Sequence, residues 1–260
     1  MLVASLTCFG QQGDDKTQSP PQPQEELAAN PGRPTVSTPA TLTPVGYLQF
    51  ETGILGAQHS EEFADRTGIN EVMKFTVAKR LELLVQSEPA VFSDLGDHHS
   101  RDAGGLSLGA QAVLLPGNER RPTLAISYFR TVYDGTAPDL DIGSSRNSAL
   151  FLLSTDIQKW HLDTNYIFNE QIDNLVRRAQ FGQTLSLAHP IAGKLQWTGE
   201  LWHFTQPFLN GHAAGFLTGP AYSVTPRLVL DIGFNRGLTS TSTRWEFFTG
   251  FTYLLPKKLW

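Results

Sequence analysis

From Tyr47 to Trp260 the chain repeats one device: apolar and polar side chains alternate along a short run, and Gly, Pro, Asn or Asp closes it. The stretch TPRLVLDIGFNRGL (225–238) is the plainest case. Leu228, Leu230, Ile232 and Phe234 take every second position, while Arg227, Asp231 and Asn235 fall among the positions between. Period two is the repeat of an extended strand, whose successive side chains point to opposite faces. Strands are predicted over 47–57, 70–78, 81–90, 104–116, 122–133 and 148–158, then over 160–170, 176–188, 194–205, 213–223, 226–237 and 243–255. The gaps between them alternate in length. Longer ones at 58–69, 91–103, 134–147, 171–175, 206–212 and 238–242 alternate with tight ones at 79–80, 117–121, 159, 189–193 and 224–225. Short turns at one rim and long loops at the other are the pattern of outer-membrane barrels. The predicted fold is therefore all-β: a transmembrane antiparallel up-and-down β-barrel of about twelve strands over 47–260. The same alternation returns both termini to the short-turn rim, which in that setting is periplasmic.

The two faces demand different solvents. Trp245, Phe247, Phe251 and Tyr253 share one face of the last strand, and Arg244, Glu246 and Thr252 the other. Phe181, Leu185 and Leu187 oppose Arg178, Gln180, Thr184 and Ser186; Leu162, Tyr166 and Phe168 oppose His161, Asp163 and Asn165. The dry core of a soluble sandwich does not tolerate such unpaired charge. Lipid outside and a polar lumen inside suits both faces. The lumen-facing polar candidates are His161, Asp163, Arg178, Glu200, Asp231, Asn235, Arg244 and Glu246. Trp197, Trp202, Trp245, Tyr47, Tyr222 and Tyr253 read as girdle or wall aromatics. A soluble, exported β-barrel or sandwich that binds a ligand or partner is the alternative. An outer-membrane lipid hydrolase is the lesser one, since its His-x-Ser-Asn-Gly type of motif is absent here.

The N-terminal part has a different texture. MLVASLTCFG (1–10) reads as the remnant of a signal peptide, with Cys8 the only cysteine. A lipidated Cys8 and a start codon placed too far downstream stay open. Residues 11–46, rich in Pro and Gln and poor in aromatics, read as a disordered linker outside the fold, lacking the apolar surface to offset ordering. With a net charge of −5 and no Lys/Arg cluster, nucleic acid is not an expected partner.

Candidates for chemistry are sparse. Asp94, Asp97, His98, His99 and Asp102 form the one dense ligand-capable cluster, but neighbours on an extended chain point apart. His161 and Asp163 share a face without a serine of suitable local signature. Neither a catalytic residue nor a metal site nor a cofactor is predicted.

FSDLGDHHSRDAGGLSLGAQAVLLPGNERRPTLAISYF (92–129), with Asp-Leu-Gly-Asp at 94–97, and VTPRLVLDIGFNRGLTSTSTRWEFFTGFTY (224–253) carry a resemblance. The chain resembles the "MetA-pathway of phenol degradation" family of outer-membrane barrels over most of 47–260. That resemblance implies a transporter-like barrel for small compounds, hydrophobic or aromatic ones included, with an unidentified solute and outer-membrane lipid as partners. The terminal Trp260 resembles the signal read by the barrel-assembly machinery, although Pro256-Lys257-Lys258 interrupts the alternation before it.

Overall fold

The computed structural model describes residues 27–60, 62–95, 97–138, 140, 145–173 and 175–260. Residues 1–26, and with them the signal-peptide reading and the first part of the linker, lie outside the described residues. Period-two segments become thirteen antiparallel strands: β1 (Leu48–Gln58), β2 (Asp65–Ala78), β3 (Leu81–Leu95), β4 (His98–Asp102), β5 (Leu106–Leu115), β6 (Thr123–Tyr133) and β7 (Ser145–Ile157). They continue with β8 (Trp160–Asp173), β9 (Val176–Ala192), β10 (Leu195–Gln206), β11 (Gly211–Thr225), β12 (Leu228–Gly237) and β13 (Trp245–Leu254). Each pairs with its sequence neighbour, except that β3 pairs β5 and also folds back on the short β4. β1 pairs both β2 and β13, which closes a twelve-stranded barrel with β4 standing outside the ring in a loop hairpin. Closure gives every strand of the ring two partners, as a sheet in hydrocarbon requires.

Differences from the predicted strands are largest at the long-loop rim, where alternation fades into turn residues, and at the short-turn rim β9 runs on to Ala192 rather than 188. β2 begins at Asp65 rather than 70, β3 runs on to Leu95, and β7 begins at Ser145 rather than 148. The gap predicted at 171–175 closes almost completely, since Asp173 pairs Val176, so that connection is as tight as those of the opposite rim. At the other rim Gly193, with φ of +54°, makes the two-residue β9–β10 turn that a side chain would strain.

The outer face is predominantly apolar. Leu201 is 59% exposed, Ile232 58%, Tyr166 55% and Phe247 54%. In water such a surface far exceeds what a monomeric soluble protein exposes, so it faces lipid. This disposes of the soluble alternative on physical grounds. The inner face mixes Gln49, Glu51, Glu82, Gln111, Asn165, Gln180, Glu200 and Asp231 with Phe204, Leu217 and Trp202, all buried.

The interior is filled by the chain's own N-terminal segment. Against the expectation of a linker outside the fold, residues 27–46 run inside the barrel, where Ser37, Ala40 and Thr43 are buried. The expectation fails because it weighs apolar content, whereas this interior is a polar core. A segment low in apolar side chains is held there by hydrogen bonds, which buried polar groups require.

Candidate functional site

The segment enters at the short-turn rim, where the Ala29 N–H donates to Pro226 O (2.8 Å), and leaves it where the Gly46 N–H donates to Thr76 O (2.9 Å). Between these points it arches across the lumen, and wall side chains accept its backbone N–H groups in turn. Asn30 N donates to Gln49 Oε1 (2.8 Å) and Gly32 N to Glu51 Oε1 (3.1 Å). Val36 N and Ser37 N donate to the two oxygens of Glu200, each at 2.7 Å, and the Ser37 hydroxyl adds a third bond at 2.5 Å. Thr38 N donates to Asn165 Oδ1 (2.6 Å), Ala40 N to Ser154 Oγ (2.7 Å) and Thr43 N to Glu82 Oε1 (2.9 Å). Gln111 Nε2 donates to Pro39 O (2.9 Å). Donors bound to carboxylates make the stronger class of hydrogen bond. Pro31, Pro34, Pro39 and Pro44 lack an N–H, which lowers the number of donors the lumen has to satisfy.

One side chain of the segment carries charge into the wall. Arg33 clamps Asp231 through Nε to Oδ2 and Nη2 to Oδ1, both 3.1 Å, with the Asp231 side chain 2% exposed. The guanidinium lies flat over Gly53 and Gly250, where a Cβ on either residue would collide with it. Glu51 meets Lys74 Nζ at 2.5 Å.

The structure distributes the predicted lumen residues as follows. Asp163, Glu200, Asp231, Asn235 and Glu246 are buried in the inner wall. Asn235 accepts from Trp202 Nε1 (2.7 Å) and donates to Glu246 Oε1 (3.0 Å). His161 is half-buried near the short-turn rim, between Asp156 (2.7 Å) and Asp163 (3.2 Å). Arg178 and Arg244 are exposed at the long-loop rim rather than enclosed in the lumen. Arg178 donates to Pro207 O and lies 4.9 Å over the Phe208 ring, while Arg244 O accepts from Arg236 Nη1 at 2.7 Å. They escape the lumen because their strand positions lie at the rim, where facing inward no longer means enclosure.

Ser154, not singled out by the sequence, donates to Asp163 Oδ1. Serine and histidine thus bind one carboxylate, whereas a nucleophilic relay places the histidine between serine and acid. Of the ligand-capable loop cluster, Asp94 and His99 face each other across β3 and β4 with 2.5 Å between Oδ1 and Nδ1. Asp102 takes hydroxyl bonds from Ser100 and Thr136, which hold its carboxyl below the usual range. Among the described residues no three His, Cys, Asp or Glu converge as a metal site.

Above the segment a cavity of about 510 Å³ opens toward the long-loop rim, floored by Arg33, Pro34, Thr35 and Val36. Its two sides differ. Phe129, Leu150, Ile167, Phe204, Leu217 and Phe248 make an apolar arc from β6 round to β13. On β2 and β3 stand Arg66, Asn70 and Glu88, with Arg66 Nη2 2.5 Å from Glu88 Oε2 and Arg66 Nε donating to Pro138 O. Arg66 Nη1, Asn70 Oδ1 and Glu88 Oε1 are buried there without a partner among the described residues. The β2–β3 ladder shifts register between Ile69 and Glu71 beside them.

No protein-family model and no curated protein matches the chain in sequence. Solved structures do match. An outer-membrane channel from Pseudomonas putida F1 aligns with a TM-score of 0.59 at 16% identity, covering 87% of this chain and 99% of that one. The NanC porin aligns at 0.56 and 10% identity, over 80% of this chain and 100% of that one. The KdgM porin follows at 0.54 and 7%, over 79% and 98%. The chain has the fold of outer-membrane channel barrels. At such identities the likeness speaks for the architecture alone.

Proposed function

We propose that this barrel is an outer-membrane channel or transporter-like protein for small compounds, hydrophobic or aromatic ones included, with both termini on the periplasmic side. The carrying observation is the cavity. It is enclosed by a lipid-facing wall, open toward the long loops, apolar along one arc, and floored by the chain's own segment 27–46. Its volume lies within the range of small-molecule sites. A solute with an apolar body against Phe204 and Leu217 and a hydrogen-bonding group toward Arg66, Asn70 and Glu88 suits both sides. The resemblance of 92–129 and 224–253 to the MetA-pathway family supports the same reading. So does the likeness in fold to the Pseudomonas putida outer-membrane channel.

Passage through the barrel then requires residues 27–46 to yield. The test is planar-bilayer recording of the whole protein and of Arg33→Ala, with a panel of neutral aromatic and charged solutes added on the long-loop side. Low conductance for the parent, a rise for Arg33→Ala, and current block by neutral aromatic solutes are expected. Conductance unaffected by Arg33→Ala and by every solute of the panel would rule out this reading.

A further inference from the structure

On the lipid-facing wall, Tyr128 pairs with Ala149, Ala149 with Phe168, and Phe168 with Phe181, so these residues form one row across β6 to β9. Ala149 is the small member between two rings. Phe168 meets Phe151 at 6.1 Å and Phe181 at 5.2 Å, both edge to face, which fixes its ring. The next row toward the long-loop rim is Arg130, Asn147, Glu170 and Ala179. Ala149 and Ala179 leave a groove of about 380 Å³ beside Tyr128 and Phe168, headed by Arg177.

The head of the groove is a connected polar network. Tyr128 Oη and Arg130 Nη1 both donate to Asn147 Oδ1, at 2.6 and 2.9 Å. Asn147 Nδ2 donates to Glu170, and Arg177 Nη1 donates to Glu170 Oε1 at 3.1 Å. The charged side chains on this face that line the groove or bond to its lining are Arg130, Arg177 and Glu170, a positive excess. An apolar slot below a surplus of guanidinium groups, on a wall that faces lipid, matches a molecule with hydrocarbon chains and an anionic head.

We infer that this groove binds a phosphorylated lipid of the leaflet at the long-loop rim. Its phosphate lies on Arg177, and one acyl chain runs over Ala149 between Tyr128 and Phe168. The arginine fork fits phosphate oxygens in a way a point charge does not. Among the described residues Arg177 donates to Glu170, and its side chain is 66% exposed.

The test is native mass spectrometry of the detergent-purified full chain incubated with lipid A, with dephosphorylated lipid A, or with phosphatidylcholine. Detergent makes the result independent of which side of the membrane the rim faces. One retained lipid A is expected, preferred about tenfold over the dephosphorylated form, as the loss of charge-assisted bonds implies. Arg177→Gln is expected to erase that preference. Ala149→Trp, which fills the slot and leaves the charges in place, is expected to reduce retention of both lipid A forms. Each variant is first checked as a heat-modifiable, folded barrel; if Arg177→Gln fails to fold, the dephosphorylated lipid and Ala149→Trp still decide. Equal retention of the phosphorylated and dephosphorylated forms overturns the proposal. So does retention unchanged by Ala149→Trp, or a second copy of the chain in place of lipid.

Discussion

Asp231 sits in β12 between Leu230 and Ile232, which face lipid, and its carboxylate is taken up by Arg33. The face it occupies is legible in the sequence, because period two leaves no other choice once Leu230 and Ile232 point outward. Its partner is not legible: Arg33 is 198 residues away and belongs to a segment without strand periodicity. This changes what a substitution does. Asp231→Asn replaces an acceptor by an amide donor facing a guanidinium and is expected to cost about 1.5–3 kcal/mol, the scale of a charged hydrogen bond. Were Asp231 hydrated in an open lumen, the same change would cost almost nothing. Leu230→Arg or Ile232→Arg places a charge in lipid and is expected to cost roughly 2–4 kcal/mol near the midplane. Urea unfolding of the three variants in lipid measures both. An Asp231→Asn protein as stable as the parent would break the Arg33 assignment.

At the scale of elements, the strands and the segment 27–46 pose opposite problems to a reader of sequence. β12 announces itself, since a ring or a branched chain stands at every second residue from Leu228 to Phe234, and Phe181, Leu185 and Leu187 do much the same for β9. The segment displays four prolines and small polar residues, the composition of an unfolded linker, and its attachment is written in the wall instead. Glu51, Glu82 and Glu200 are acidic residues on inner faces, and each receives a backbone N–H of the segment. Backbone donors carry no side-chain signature, so the pairing is invisible until the lumen closes around it. Deleting 27–44 leaves the strand ladders intact and hydrates these carboxylates. The barrel is therefore expected to keep its heat-modifiable mobility, while its urea midpoint falls and its conductance rises. Loss of the folded band on deletion would mean that the segment is needed to close the sheet.

At the scale of the molecule, alternating connection lengths predict one rim of turns and one of loops. The barrel keeps that asymmetry except at β8–β9, where Asp173 and Val176 pair across a tight turn. If the long loops face outward, a cysteine at exposed Asp134 labels with an impermeant maleimide on intact cells and one at Lys159 does not, in a background with Cys8 replaced by Ser. The opposite pattern would invert the barrel. The central claim is that the lumen is filled by the chain's own N-terminal segment, and Ser37 reports on it most directly. Its hydroxyl is enclosed by Thr184 and Glu200, and the residue is 1% exposed. The measurement is the maleimide labelling rate of Ser37→Cys in folded, purified barrel, in the same Cys8→Ser background, set against exposed Asn118→Cys. Labelling slower on the order of tenfold or more is predicted, rising toward the exposed rate when Glu200→Ala removes the acceptor of the segment. Ser37→Cys labelling as fast as Asn118→Cys in the otherwise unaltered barrel would contradict the account.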